Sequence, residues 1–399
     1  MLKSILSMIT VRGITLVFPL FLIPLQLKLL GISQYGEYNL LFAISAIGSI
    51  FINYGFDYST SRDIVRSEGV LFKISYICSS AFYCKLLNFL LVTSVMFIIY
   101  LSKEGLEKFF VISVFLFSQV LIPIYAFQGM KKMEYLIYNT IFLNISFLLI
   151  ILYFLYCNYE ITSSNLFLIY SIINLIAALQ MLCYLNRKYS IKLTAVSIAD
   201  IVQQYKNGSW IFLSRVMSSG LSQWTIVILS TIFNPTLLGI YTLSDKLVRA
   251  GNSFFYAVQQ ATYPYFCSQK SNENLTKIMV VLVVLAVLAL AMFCGLKDFI
   301  IYFFPALSDY YASVIIMFSS LIPMCISGMI GVNYLLATDQ NKIFAFILGV
   351  AAIFNIVILY LYVTTDSMEK AALVMLTTES LVAIMMYVAM WLKERKNGY

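Results

Sequence analysis

Histidine is absent from the 399 residues, and only 11% of them are charged. Without imidazole there can be no Ser-His or Cys-His nucleophile pair and no histidine-ligated metal. Soluble domains carry about 25% charged residues, so a water-soluble fold is excluded as well. The seven cysteines, Cys78, Cys84, Cys157, Cys183, Cys267, Cys294 and Cys325, stand singly in apolar stretches with no CxxC pair. That spacing suits small buried hydrophobes rather than a disulfide framework or a zinc site. A GxxxxGK[ST] phosphate loop is missing, which removes ATP hydrolysis by that route. Proline is scarce, at seven residues, and no connection is long enough to fold as a soluble catalytic domain.

What is present is apolar length. The composition is 61% hydrophobic, and runs such as IMVVLVVLAVLALAMFC (278–294) do not alternate as a membrane β-barrel strand would. The class is therefore an all-α integral membrane protein. A span needs roughly 20 mainly apolar residues. On that rule twelve transmembrane helices are predicted, near 6–30, 37–56, 74–101, 108–128, 136–157, 164–186, 208–232, 237–267, 278–303, 312–337, 343–363 and 370–392. MLKSILSMITVRG leads straight into the first of them without a small-residue cleavage site, so no cleaved leader is expected.

Lysine and arginine placement gives an orientation, because cytoplasmic loops collect them. With the N-terminus inside, the cytoplasmic side receives Lys3, Arg62, Arg66, Lys73, Lys131, Lys132, Arg187, Lys188, Lys192, Lys206, Lys270, Lys277, Lys342, Lys393, Arg395 and Lys396. The outer side receives Lys28, Lys103, Lys108, Lys297 and Lys370. Both termini are thus expected in the cytoplasm, and the net charge of +8 reads as a topology signal rather than a nucleic-acid footprint. The basic, amphipathic stretch SRDIVRSEGVLFK (61–73) is expected to lie along the cytoplasmic interface.

Five cations remain inside the predicted spans: Arg12, Lys85, Arg215, Lys246 and Arg249. Asp245 and Glu379 accompany them, giving the embedded set a charge of five minus two, +3, with Asp57 at the cytoplasmic end of the second helix. The stretch YTLSDKLVRAG (241–251) holds three of these charges. Inserting three charges near a helix centre costs roughly 7–10 kcal/mol, whereas about ten large apolar residues return roughly 3–6 kcal/mol. Such a helix belongs against a wet cavity or protein partners, not lipid. Asp245 and Arg249 are four apart and can pair on one face, while Lys246 points about 100° away. A structural ion pair with one snorkelling lysine competes with a cationic cavity lining. For Arg12 and Arg215, about two turns from the surface, snorkelling is an equal rival. Glu379 suits either a proton-titrating site or an interhelical hydrogen bond.

The halves repeat weakly. Arg12 precedes Gly36 by 24 residues and Arg215 precedes Gly239 by 24, each pair bracketing a span, a short outer turn and a Gly-x-Tyr that opens the next span. Ile122-Pro123 corresponds likewise to Ile322-Pro323. This order predicts two parallel six-helix lobes, 1–200 and 201–399, around a central cavity.

The segments LLGISQYGEYNL (29–40), NYGFDYSTSRDIVRS (53–67), YAFQGMKKMEYL (125–136), NPTLLGIYTLSDKLVRAG (234–251) and ATYPYFCSQ (261–269) resemble bacterial polysaccharide flippases. These form a branch of the multidrug/oligosaccharidyl-lipid/polysaccharide exporter superfamily. The matching positions are Gly36/Tyr38, Gly55/Phe56 with Ser61/Arg62, Phe127/Gln128/Gly129 with Lys131/Lys132, and Gly239/Tyr241 with Lys246. The resemblance implies a flippase of the bacterial inner membrane, not an enzyme. Its cargo would be undecaprenyl-pyrophosphate-linked O-antigen or capsule repeat units, and its neighbours the pathway's polymerase and chain-length regulator. No cofactor is implied beyond coupling to a proton or sodium gradient, for which Asp245, Glu379 and Asp57 are the candidates. Arg12, Lys85, Arg215, Lys246 and Arg249 are the candidate substrate-cavity residues, because fixed positive charge suits an anionic cargo. A multidrug cation antiporter, which wants acidic excess, a membrane polymerase, which wants a long outer loop, and a purely structural scaffold are the alternatives.

Overall fold

A computed structural model describes the backbone of residues 2–396 except 68–69, 102–104, 269–272 and 366. Side chains are described from Phe21 onward, except at those positions and at 261, 264, 268, 273–274 and 396. Sixteen α-helices follow one another: α1 (Leu2–Asn53), α2 (Phe56–Arg66), α3 (Leu71–Leu101), α4 (Leu106–Leu121), α5 (Ile124–Gly129), α6 (Met133–Tyr156), α7 (Ser163–Tyr189), α8 (Ile198–Ser219), α9 (Gln223–Leu229), α10 (Pro235–Ser268), α11 (Glu273–Gly295), α12 (Lys297–Phe303), α13 (Tyr311–Ser319), α14 (Leu321–Ile330), α15 (Asn341–Tyr362) and α16 (Met368–Lys396). A π-helical stretch, Gly331–Leu336, continues α14.

Helix runs through each of the twelve stretches expected from sequence. Among the described residues, nine helical segments are long and apolar enough to cross a membrane. The protein is therefore a multi-pass, all-helical membrane protein. Several stretches depart from the simple picture: 108–128, 278–303 and 312–337 are each divided between two helices, and others differ as follows. The first two expected stretches merge into α1, which bends at Gly31, whose φ of 70° is available to glycine without strain. The stretch 208–232 is interrupted between α8 and α9 at residues 220–222. The stretch 237–267 is continuous within α10 but carries the charges of YTLSDKLVRAG.

Local chemistry sets several of these boundaries. Pro235 opens α10 at a position where its missing N–H is harmless, and Asn234 caps the helix by accepting from the Leu237 N–H at 2.8 Å. Thr162 caps α7 in the same way through the Asn165 N–H. Pro123 separates α4 from α5, and the residue before it, Ile122, is extended with ψ of 112°.

The chain forms two compact units. One comprises 37–216 and the other 1–36 with 217–399. The first has a core of Ile64, Ile74, Cys78, Tyr125, Phe127 and Leu185, drawn from α2, α3, α5 and α7. In the second, α14 and α15 pack on α16, and α1 crosses the start of α10 glycine to glycine. A Cβ on Gly36 would meet the Pro235 carbonyl and the Gly239 backbone, and a Cβ on Gly239 would run into the Ile32 carbonyl. The two glycines that marked the sequence repeat therefore touch each other. Gly239→Ala is expected to destabilise the protein by about 1–3 kcal/mol, because the obstacle is backbone and has no rotamer to yield. Thermal unfolding of the detergent-purified protein measures it; an unchanged midpoint would refute the close-packing role.

Candidate functional site

The charged residues buried among the helices fall into two groups, one in each unit. Sequence reasoning anticipated the Asp245–Arg249 pair but not the group around Asp57.

In the unit 37–216 the centre is Asp57. Tyr54 and Gly55 both take positive φ, 44° and 83°, and this double left-handed step ends α1 and starts α2 in a new direction. Asp57 thereby lies in the first turn of α2, where a carboxylate complements the helix N-terminus. It lies at the end of the second predicted span, as expected, and is only 5% exposed. Two cations converge on it from distant segments. Lys85 Nζ of α3 lies 3.8 Å from Oδ1, and Arg215 Nη1 of α8 lies 3.5 Å from Oδ2.

Lys85 is fully buried. Its ammonium donates to the Ile122 carbonyl at 3.0 Å and the Gln119 carbonyl at 3.4 Å, and sits 5.1 Å from the centre of the Tyr125 ring. The reason is Pro123. A residue with an N–H at that position would bond the Gln119 carbonyl in a continuing helix, and proline cannot. The C-terminus of α4 is left with free carbonyls, and Lys85 supplies both the donor and the charge they favour. Lys85 is therefore sealed from solvent here, held by Asp57 and the two carbonyls. Arg215 differs: its side chain is 30% exposed, and its guanidinium stands 5.1 Å over the exposed Tyr58 ring.

In the other unit, Arg249 Nε donates to Asp245 Oδ2 at 2.7 Å, the i,i+4 pair along α10. Arg249 Nη2 also donates to the Leu221 carbonyl at 3.4 Å, in the interruption between α8 and α9. A basic side chain at a broken helix thus occurs in both units, with different donors and different helices. Glu379 of α16 lines the same polar pocket and interacts electrostatically with Arg249 and Asp245. Thr225 donates to Asn355 Oδ1 at 3.0 Å, and Asn355 Nδ2 donates to Thr378 Oγ1 at 3.2 Å, forming the pocket wall. The pocket has room for about one water molecule. Asp245 is 9% exposed by side chain and Arg249 41%.

Lys246 stands apart from this pocket. Its Nζ lies 4.9 Å from the centre of the Tyr35 ring, a cation–π contact with α1. The backbone of Arg12 lies in α1, but its side chain is outside the described residues.

At one end of the unit 37–216, the linker 190–197 ties back to α3. The Ser197 N–H donates to the Tyr76 hydroxyl, and Tyr76 in turn donates to Asp200 Oδ2 at 2.5 Å. Hydrogen bonds from Ser197 and Tyr76 hold the Asp200 carboxyl below its ordinary range. Among the described residues no cluster of three metal-ligating side chains occurs, and all seven cysteines are free.

Asp57 is the charged residue whose position sequence reasoning underrated. Its signal was that the predicted spans 74–101 and 208–232, which hold Lys85 and Arg215, contain no acid of their own.

Most of the chain aligns with known proteins. A protein of Escherichia coli strain K12, provisionally named an O-antigen transporter, is 22% identical over 400 residues, covering 96% of this chain and 95% of that one. One of the same provisional name from Shigella dysenteriae is 23% identical over 300 residues, covering 74% and 75%. Among solved structures, a multidrug resistance MATE family transporter of the MOP superfamily superposes with a TM-score of 0.69 at 12% identity, covering 94% of each chain. The fold is thus that of the MATE-type transporters. The family pattern described as polysaccharide biosynthesis protein matches residues 1–270, more than half of the sequence. The chain belongs to that polysaccharide biosynthesis protein family.

Proposed function

We propose that the protein is a flippase that carries undecaprenyl-pyrophosphate-linked O-antigen or capsule repeat units from the cytoplasmic to the outer leaflet of the bacterial inner membrane. The observation that carries the reading is a pair of partly exposed arginines within the helical core, Arg215 and Arg249. Each is held from behind by an acid, Asp57 or Asp245. An arginine so held keeps its charge and presents a fork that suits phosphate and carboxylate oxygens. The names of the two bacterial relatives support the same cargo.

In this reading twelve spans form two lobes, with a sequence boundary near residue 200 and both termini in the cytoplasm, and the lobes alternate access to a midplane site. Arg249 and Arg215 meet the anionic cargo, Lys85 holds Asp57 in place, and Lys246 and Arg12 add positive potential. Asp245 and Glu379 outnumber Arg249 in their pocket, which suits a coupling proton or sodium ion. The protein moves its cargo without bond chemistry, and the polymerase acts on what it delivers.

The test is a strain lacking the protein. Expected is loss of surface polymer, with lipid-linked single repeat units accumulating where a membrane-impermeant sugar-modifying reagent cannot reach them. Single units exposed on the outer face would instead identify a polymerase, and unchanged surface polymer would refute the reading.

A further inference from the structure

A groove of about 420 Å³ opens where α2 ends and α3 begins. Two cations line it, Arg66 in the last turn of α2 and Lys73 in the first turn of α3, and both are exposed. Neither has an acidic partner within salt-bridge distance among the described residues. The one acid among the described residues that line the groove, Asp63, is already engaged: Arg62 lies 3.7 Å from Oδ1, and Asn207 donates to Oδ2 at 3.4 Å. The floor is fixed by Tyr76, whose hydroxyl is committed to Asp200. Beside the cations the wall turns apolar. Phe72 is 72% exposed, and Leu71, Val70 and Val65 around it are also exposed.

Basic donors at the mouth, a fixed floor and bare hydrocarbon alongside describe an amphiphile with an anionic head. A free anion would leave the apolar wall of Phe72 and Leu71 unused, whereas an uncharged lipid would leave Arg66 and Lys73 without a counter-charge from the described residues. This end of the unit also carries Arg62, Lys131, Lys132, Arg187, Lys188, Lys192 and Lys206, all exposed. The positive-inside rule assigns such an end to the cytoplasmic side, where anionic lipids give the leaflet a negative surface potential.

We infer that the groove between α2 and α3 is a binding site for an anionic phospholipid of the cytoplasmic leaflet. The headgroup phosphate lies between Arg66 and Lys73, and an acyl chain runs along Phe72. Asp63 and Tyr76 both bond to α8, through Asn207 and Asp200, so the groove is tied to the helix that carries Arg215.

Native mass spectrometry of the full chain in detergent, titrated with phosphatidylglycerol and separately with phosphatidylcholine, tests this. Phosphatidylglycerol should be retained in preference. The double variant Arg66→Gln with Lys73→Gln should raise its dissociation constant by at least about tenfold, the loss expected when charge-assisted hydrogen bonds are removed. The double variant Lys131→Gln with Lys132→Gln removes the same charge elsewhere on that end and should stay within about twofold, since the diffuse leaflet attraction is absent in detergent. Equal losses in the two double variants, no loss in the first, equal retention of both lipids, or displacement by inorganic phosphate would each overturn the assignment. The readout is binding rather than export, so its failure is separable from failure of the flippase reading.

Discussion

Arg249→Ala, expressed in a strain lacking the native protein, is expected to reduce surface polymer roughly 10- to 100-fold, the range associated with losing charge-assisted hydrogen bonds. Arg249→Lys should retain part of the export, because it keeps the charge but loses the planar fork. Two explanations for a failed alanine variant need separating. Truncation removes the group proposed to meet cargo, but it also strands Asp245 and Glu379 together in one small pocket. Adding Asp245→Asn to Arg249→Ala removes one stranded charge. If export returns in that double variant, Arg249 acts only by neutralising the acids. If export stays low while protein levels match the parent by immunoblot, the missing group is the cargo contact. Intact surface polymer in the single alanine variant at normal protein level would sink the proposal for Arg249.

The helical segments were legible because a membrane protein writes them as apolar length, and each of the twelve expected stretches is helical. Their subdivision was less so. Gly31 was read as part of an outer turn, yet one glycine at positive φ bends the chain while helix continues on both sides. The interruption at 220–222 left only Gly220 and a few small residues as its signal, too little to separate α8 from α9. The Asp245–Arg249 pair could be read from its spacing, since both partners lie on one helix four residues apart. The Asp57–Lys85–Arg215 group could not. Its members come from α2, α3 and α8, and no periodicity within a helix reports which side chains of distant helices meet. Pro123 was noticed as a repeat marker, but its effect, leaving carbonyls that only a buried cation answers, depends on where α3 packs.

That dependence makes Asp57→Asn the most damaging single change expected for the fold. Removing one partner of a buried ion pair costs about 3–5 kcal/mol, chiefly because the other charge stays behind without compensation. Here the abandoned group is Lys85, fully buried, and the neighbour that remains, Arg215, has the same sign. The Ile122 and Gln119 carbonyls still accept from Lys85 and soften the loss, so the lower end of that range, about 3 kcal/mol, is expected. Thermal unfolding and limited proteolysis in detergent would register it, together with a lower steady-state level in the membrane. The revealing variant is the double, Asp57→Asn with Lys85→Met. Methionine keeps most of the lysine's length and removes the uncompensated charge, so the double variant should be more stable than Asp57→Asn alone. Recovery should stop short of the parent, because the two carbonyls at Pro123 then lose their donor, at about 1–3 kcal/mol for buried groups left unpaired. A double variant no better than the single one would show that Asp57 stabilises α2 through its own helix rather than by compensating Lys85. An Asp57→Asn protein as stable as the parent would mean that the carbonyls alone suffice to hold the ammonium.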